Sequence, residues 1–229
     1  MTISRGSEKK ISLCIHNEGL SLFLTALLQE WGFRVNPTCP ENPDELLLAE
    51  ENCSRCAEHR KRVELIDSAY FDSDQVNRPI VIEQLWRVLE KHYHLPPRHH
   101  LRLAVDLPIR MAVRGQEQPG RLTSLSPAGA RLSLPRELAS GEHFPIVLPL
   151  PQRTLQLTAK VIYVTTFPSS DNRYDAGVLF ERISGEDKAL LRDTIILTLF
   201  SNIRPHLPRW AFEVGISQFD LSAELRKQL

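Results

Sequence analysis

Leu103, Val105, Leu107, Ile109, Met111 and Val113 alternate with mostly polar or small residues. That period of two is the signature of a strand with one buried face. The same alternation returns at Leu155, Leu157, Ala159, Val161 and Tyr163. Between them, Gly115 to Gly120 reads as a hairpin loop, and Leu122 to Ser126 and Ala130 to Leu134 as short strands parted by the Pro127-Ala128-Gly129 turn. Phe144 to Leu150 is an apolar run interrupted by prolines, which predicts an edge strand. A turn at Ser169 to Asn172 leads into the strand Tyr174 to Phe180. Ser184-Gly185-Glu186-Asp187 then opens a helix with acids in its first turn, continued at helical spacing by Leu190, Leu191, Ile195, Leu199 and Phe200. Six short strands and a helix predict a closed antiparallel β-barrel with a helix packed on it.

The N-terminal third has a different rhythm. Ile11 to Ile15 is a strand, Leu20 to Trp31 a helix that Gly32 terminates, and Phe33-Arg34-Val35 a second strand. Leu46-Leu47-Leu48 supplies a third, and Pro79 precedes a helix from Ile80 to Leu89. The class is α+β. The expected organisation is a small α/β domain over 1–94, a linker over 95–102, the barrel and its helix over 103–203, and an extension over 204–229. In that extension Trp210, Phe212, Val214, Ile216 and Phe219 form an apolar strip, expected to pack on the barrel or else to pair two chains, and Ser222 to Leu229 reads as a short charged helix.

Composition narrows the function. With 28 basic and 28 acidic residues the 229-residue chain has zero formal net charge, which does not suggest a nucleic-acid coat. The sequence has neither an 18-residue apolar run nor a charged-then-apolar leader, so a cytoplasmic protein without a membrane span and with reduced thiols is expected. The four cysteines are Cys14, Cys39, Cys53 and Cys56. Cys53 and Cys56, with His59 three residues on and Cys39 upstream, have metal-ligand spacing. A single C-x-x-C without a second pair reads first as incidental thiols, with a structural metal or thiol redox chemistry as the other readings. His92, His94, His99 and His100 are read as solvated linker residues. No Ser/His/Asp, Cys/His or paired-carboxylate arrangement stands out, and an enzyme is not expected.

Two motifs carry the chemistry. Arg98-His99-His100-Leu101-Arg102 is an R-x-x-x-R directly after the stiff Leu95-Pro96-Pro97, and Ser124-Leu125-Ser126-Pro127-Ala128-Gly129 begins 22 residues beyond Arg102. Two guanidinium planes four residues apart suit paired phosphates, guanine O6/N7 edges and purine faces. Ser126 offers a hydroxyl, and Gly129 permits close backbone approach or a positive φ. Arg121 and Arg131 are further sources of positive charge.

In order and spacing these motifs resemble the R-x-x-x-R and D/N-x-S-x-x-G signature of PilZ domains, bacterial β-barrels that bind the second messenger cyclic di-GMP. Tyr174 to Phe180 resembles that family's closing strand, aromatic-x-x-Gly-Val-x-Phe. The resemblance implies a cyclic di-GMP site at Arg98, Arg102, Ser124, Ser126 and Gly129, with the ligand ordering the Arg98–Arg102 linker on the barrel and changing the interdomain geometry. Ser124 stands where the family carries Asp or Asn. A hydroxyl cannot accept from two guanine N–H donors at once, which favours an alternative: a PilZ-like adaptor that works through a protein partner and binds no nucleotide.

More weakly, the N-terminal third resembles a response-regulator receiver domain. His16-Asn17-Glu18 stands at its acidic pair, Ala49 or Glu50 at its phosphoacceptor, and Arg78-Pro79 at its Lys-Pro turn. Without a carboxylate cluster, phosphotransfer is not expected, and the region reads as a degenerate, truncated receiver-like interaction surface.

Overall fold

The computed structural model describes residues 9–40, 42–51, 53, 56, 59–67, 72–96, 98–166 and 174–229. The chain divides into two compact units: residues up to His99 together with Leu197–Leu229, and His100–Ile196.

The first unit is built on a five-stranded parallel sheet. Its strands are β1 (Lys9–Cys14), β2 (Phe33–Asn36), β3 (Leu46–Glu50), β4 (Arg62–Ile66) and β5 (Gln75–Asn77), in the order β2-β1-β3-β4-β5. Parallel neighbours need a crossover, and α1 (Glu18–Glu30) supplies it between β1 and β2. The Asn17 side chain caps α1 by accepting from the Leu20 N–H at 2.9 Å. Gly32, at φ 79°, turns the chain out of its C-terminal end. The links from β3 to β4 and from β4 to β5 contain no α-helix among the described residues. Helix α2 (Ile82–Glu90) follows and buries Leu85, Trp86 and Leu89. The Trp86 ring meets Trp31 edge-on at 5.1 Å.

The C-terminal residues belong to this same unit, which corrects the expectation that the apolar strip packs on the barrel. Helix α4 (Arg209–Ser217) lies so close to α1 that a Cβ on Gly215 would stand 2.2 Å from the Phe23 ring. Phe23 packs against Phe200, Phe212 and Phe219 at centroid distances of 5.4, 5.8 and 5.3 Å. The segment after α4 is stitched down by backbone bonds, the Ile80 N–H donating to Gln218 O at 2.7 Å and the Asp220 N–H to Ile80 O at 2.9 Å. A short helix α5 (Ala223–Gln228) ends the chain, capped by Ser222.

The second unit is a closed six-stranded antiparallel barrel, as the alternation predicts. Its strands are β6 (Leu103–Val113), β7 (Gln116–Ser126), β8 (Gly129–Leu134), β9 (His143–Pro149), β10 (Thr154–Thr166) and β11 (Tyr174–Glu181), in the order β10-β11-β8-β7-β6-β9. Two local expectations change. The 116–120 segment is strand, because Arg114 (φ 52°) and Gly115 (φ 76°) make a two-residue hairpin turn and β7 starts at Gln116. The Phe144–Leu150 run is not an edge: β9 pairs with β10 along its length and with β6 at Val147 and Ile146, closing the barrel. The turn expected at Ser169 to Asn172 lies outside the described residues. Helix α3 (Gly185–Ile203) follows β11, with the Ser184 Oγ accepting from the Asp187 N–H at 3.0 Å, and the division between the units falls within it. No described helix is long and apolar enough to cross a membrane.

Candidate nucleotide-binding site and thiol cluster

The Ser124–Gly129 motif forms the β7–β8 turn. Ser126 is buried, and its hydroxyl donates to the Gly129 carbonyl at 3.0 Å across that turn. Gly129 faces β11 at close range: a Cβ there would sit 2.2 Å from the Val178 carbonyl oxygen. The glycine is required by that approach rather than by a positive φ. Ser124 is half-buried on β7, paired with Ala104 on β6 and Arg131 on β8, beside register shifts in both pairings. Arg102 is exposed immediately before β6.

The auxiliary arginines already have acidic partners. Arg121 Nε donates to Asp106 Oδ1 at 2.6 Å, and an Arg131 guanidinium nitrogen lies 2.8 Å from Asp175. These contacts lower the net positive charge that either residue offers an anion.

Arg98 belongs to the first unit, where its guanidinium lies 3.5 Å from the Glu90 carboxylate at the end of α2. Glu90 is fully buried and also meets the Lys9 ammonium and, at 3.1 Å, His94 Nε2. This carboxylate was not among the residues that the sequence singled out. The signal available was the chain order Glu90–His94–Arg98, three groups four residues apart at a helix end.

The receiver-like acidic positions hold no carboxylate cluster. His16, after β1, binds Glu50 at the end of β3, its backbone N–H at 2.9 Å and its Nδ1 at 2.6 Å. Arg78 donates to the same carboxylate at 2.7 Å. Burial works against the Glu50 charge, but these donors outweigh it and hold the carboxyl below its ordinary range.

Of the metal-ligand candidates, Cys39, Cys53 and Cys56 come together, and Cys14 joins them. The Sγ atoms of Cys14, Cys39 and Cys56 lie within 4.8 Å of one another. Cys53 Sγ is 3.0 Å from Cys14 Sγ and 3.4 Å from Cys56 Sγ. Neither Cys53 nor His59 belongs to that group of three, but Cys53 touches two of its sulfurs. Burial raises the Cys14 thiol to about 11 and pushes Cys56 higher still.

Residues 96–196 match the family model of the PilZ domain. Among solved structures, the chain is similar to the Bacillus subtilis inhibitor of motility MotI/DgrA, at 19% identity over 45% of this chain and 52% of that one, with a TM-score of 0.41. It is also similar to the c-di-GMP-bound PilZ domain of YcgR from Escherichia coli (21% identity, 48% and 95% coverage, TM-score 0.39). A third is the K. pneumonia MrkH–c-di-GMP complex (13%, 48% and 55%, 0.41). The match thus spans about half the length of the Bacillus and Klebsiella chains. No curated protein matches the chain. The barrel strands, the arginine-bearing approach and the serine–glycine turn all lie within the segment, residues 96–196, that matches the PilZ domain model.

Proposed function

We propose that this protein is a receptor for cyclic di-GMP rather than an enzyme. The observation that carries the reading is the PilZ match over 96–196, which takes in both arginines of the R-x-x-x-R segment and the whole Ser124–Gly129 turn. The E. coli and K. pneumonia proteins named above were solved with that ligand.

The chemistry distributes itself over the motif residues. Arg102 is exposed before the barrel and offers a guanidinium fork to phosphate or to a guanine edge. Ser124 contributes a hydroxyl from β7. Ser126 and Gly129 act by shape, one closing the β7–β8 turn and the other allowing β8 to meet β11. Arg98 is the coupling element. To reach a phosphate it exchanges the Glu90 carboxylate for the ligand, so binding changes the end of α2 as well as the barrel. Ordering of the 98–102 linker and a changed interdomain geometry follow from that exchange.

Calorimetric titration with cyclic di-GMP, with GTP as control, tests the reading. Replacing Arg98 or Arg102 by Ala costs about 1.5–3 kcal/mol of binding each if charge-assisted bonds form. Unchanged affinity in both variants rejects this site. A protein-interaction adaptor is the second reading. Its support is Ser124 in the family's Asp/Asn position and the pairing of Arg121 and Arg131 with Asp106 and Asp175.

A further inference from the structure

All four cysteines of the chain meet at one place in the first unit. They come from three neighbouring strand ends of the parallel sheet. Cys14 is the last residue of β1, in register with Ala49 of β3; Cys39 follows β2, and Cys53 and Cys56 follow β3. Because β2, β1 and β3 are adjacent and parallel, their C-terminal ends share one edge, and the thiols converge although 42 residues separate Cys14 from Cys56.

We propose that Cys14, Cys39, Cys53 and Cys56 form a four-thiolate site for a structural Zn²⁺-class ion. Tetrahedral zinc with Zn–S bonds of about 2.3 Å sets its sulfurs about 3.8 Å apart. Cys14, Cys39 and Cys56 lie within 4.8 Å of one another, and Cys53, outside that group of three, stands 3.0 Å from Cys14 and 3.4 Å from Cys56; these spacings bracket that value. They exceed the ~2.05 Å of a disulfide by a wide margin, and none of the four cysteines is disulfide-bonded. Soft sulfur donors select zinc over the hard cations that carboxylates hold. With four protein ligands the ion has no open position, so the role is structural rather than catalytic.

The surroundings fit an anionic centre. Four thiols lose four protons on binding a divalent ion, which leaves a net charge of minus two. The half-buried Arg62 guanidinium, paired with Glu64 at 2.8 Å, also donates to the Cys56 carbonyl at 3.3 Å, beside the cluster. Leu47 and Ala49, both fully buried, pack with Cys53 and Cys56 and keep that side dry. The ion also fastens the β2–β3 and β3–β4 links, in a sheet where β3, β4 and β5 follow one another without a described helix.

The test is metal analysis of the full chain, purified without chelator, alongside a Co²⁺ titration of the metal-depleted protein. One zinc per chain is expected, with Co²⁺ giving the intense visible bands and thiolate charge-transfer absorption of a tetrahedral sulfur site. Cys14→Ser and Cys39→Ser should each lose the ion, whereas His59→Ala should keep it. Since a cysteine variant can fail to fold, the Co²⁺ spectrum of the unaltered chain decides independently. A folded, metal-free protein whose thiols titrate as free or as disulfides, with no tetrahedral Co²⁺ spectrum, overturns the proposal. Dependence on His59 with indifference to Cys14 overturns the ligand set.

Discussion

Arg98 holds a guanidinium nitrogen 3.5 Å from Glu90, a carboxylate with no exposed side-chain surface. An arginine of the proposed ligand site is thus already engaged by an anion in the first unit. Arg98 is 37% exposed but the Glu90 carboxylate is fully buried, so moving the guanidinium from it to a phosphate carries a cost that opposes binding. Glu90→Gln should therefore tighten cyclic di-GMP binding several-fold, by about 1 kcal/mol. The same change removes the partner of Lys9 and should lower the melting temperature. Calorimetry and thermal unfolding of one variant read both effects, and weaker binding would contradict the exchange.

Ser124→Asp restores the acceptor that the PilZ signature carries at this position. A carboxylate accepts from two guanine N–H donors where a hydroxyl cannot. The expected gain is about tenfold in affinity for cyclic di-GMP. No gain, in a protein that also shows no binding before the change, would favour the adaptor reading.

Gly129→Ala should destabilise the barrel by about 1–3 kcal/mol. The added methyl has no room 2.2 Å from the Val178 carbonyl, and relieving the clash pulls β8 from β11. Thermal unfolding checks the cost. A variant as stable as the parent would mean that the two strands are less closely apposed.

The barrel was legible because most of the alternating positions face inward: Leu103, Ile109, Met111 and Val113, and Leu155, Leu157, Ala159 and Val161, are buried, whereas Leu107 and Tyr163, each beside a register shift, are exposed. The resemblance to PilZ domains was legible from the order and spacing of the Arg98–Arg102 and Ser124–Gly129 motifs, and the family-model match over 96–196 takes in both. The fate of the C-terminal strip was not. Phe212 and Phe219 are apolar in sequence whichever surface they meet, and their partner Phe23 lies nearly two hundred residues earlier. Cys14 was missed as a partner of Cys53 for the same reason, since parallel pairing of β1 with β3 brings them together. Glu90 was hidden because a carboxylate in an amphipathic helix reads as surface until its burial is known.

That Phe cluster yields a coupling prediction. Phe23→Ala and Phe219→Ala each remove a ring from a buried contact at 5.3 Å and should each cost about 3–5 kcal/mol. The double variant should cost less than the sum, because the second change removes an interaction already broken. Strict additivity in denaturant unfolding would contradict direct packing of the tail on α1.

Acid should weaken the fold in two stages at the end of α2. Burial depresses the His92 pKa even though Asp74 lies 3.1 Å away. The unfolded chain therefore takes up this proton first, and stability falls as pH drops through about 6.5 and on through the lower folded value. Asp74 is held low despite burial, chiefly by Lys91 at 2.7 Å, so its contribution is present above about pH 3.9 and lost below. His92→Gln should flatten the melting temperature between about pH 7 and 5. An unaltered slope would place that acid sensitivity elsewhere.

The most direct measurement is the titration of the full chain with cyclic di-GMP by calorimetry, repeated with Arg102→Ala and with GTP. The account predicts saturable binding that the variant loses and that GTP does not reproduce. No heat and no thermal stabilisation at high ligand concentration would contradict it and leave the PilZ barrel as a surface for a protein partner.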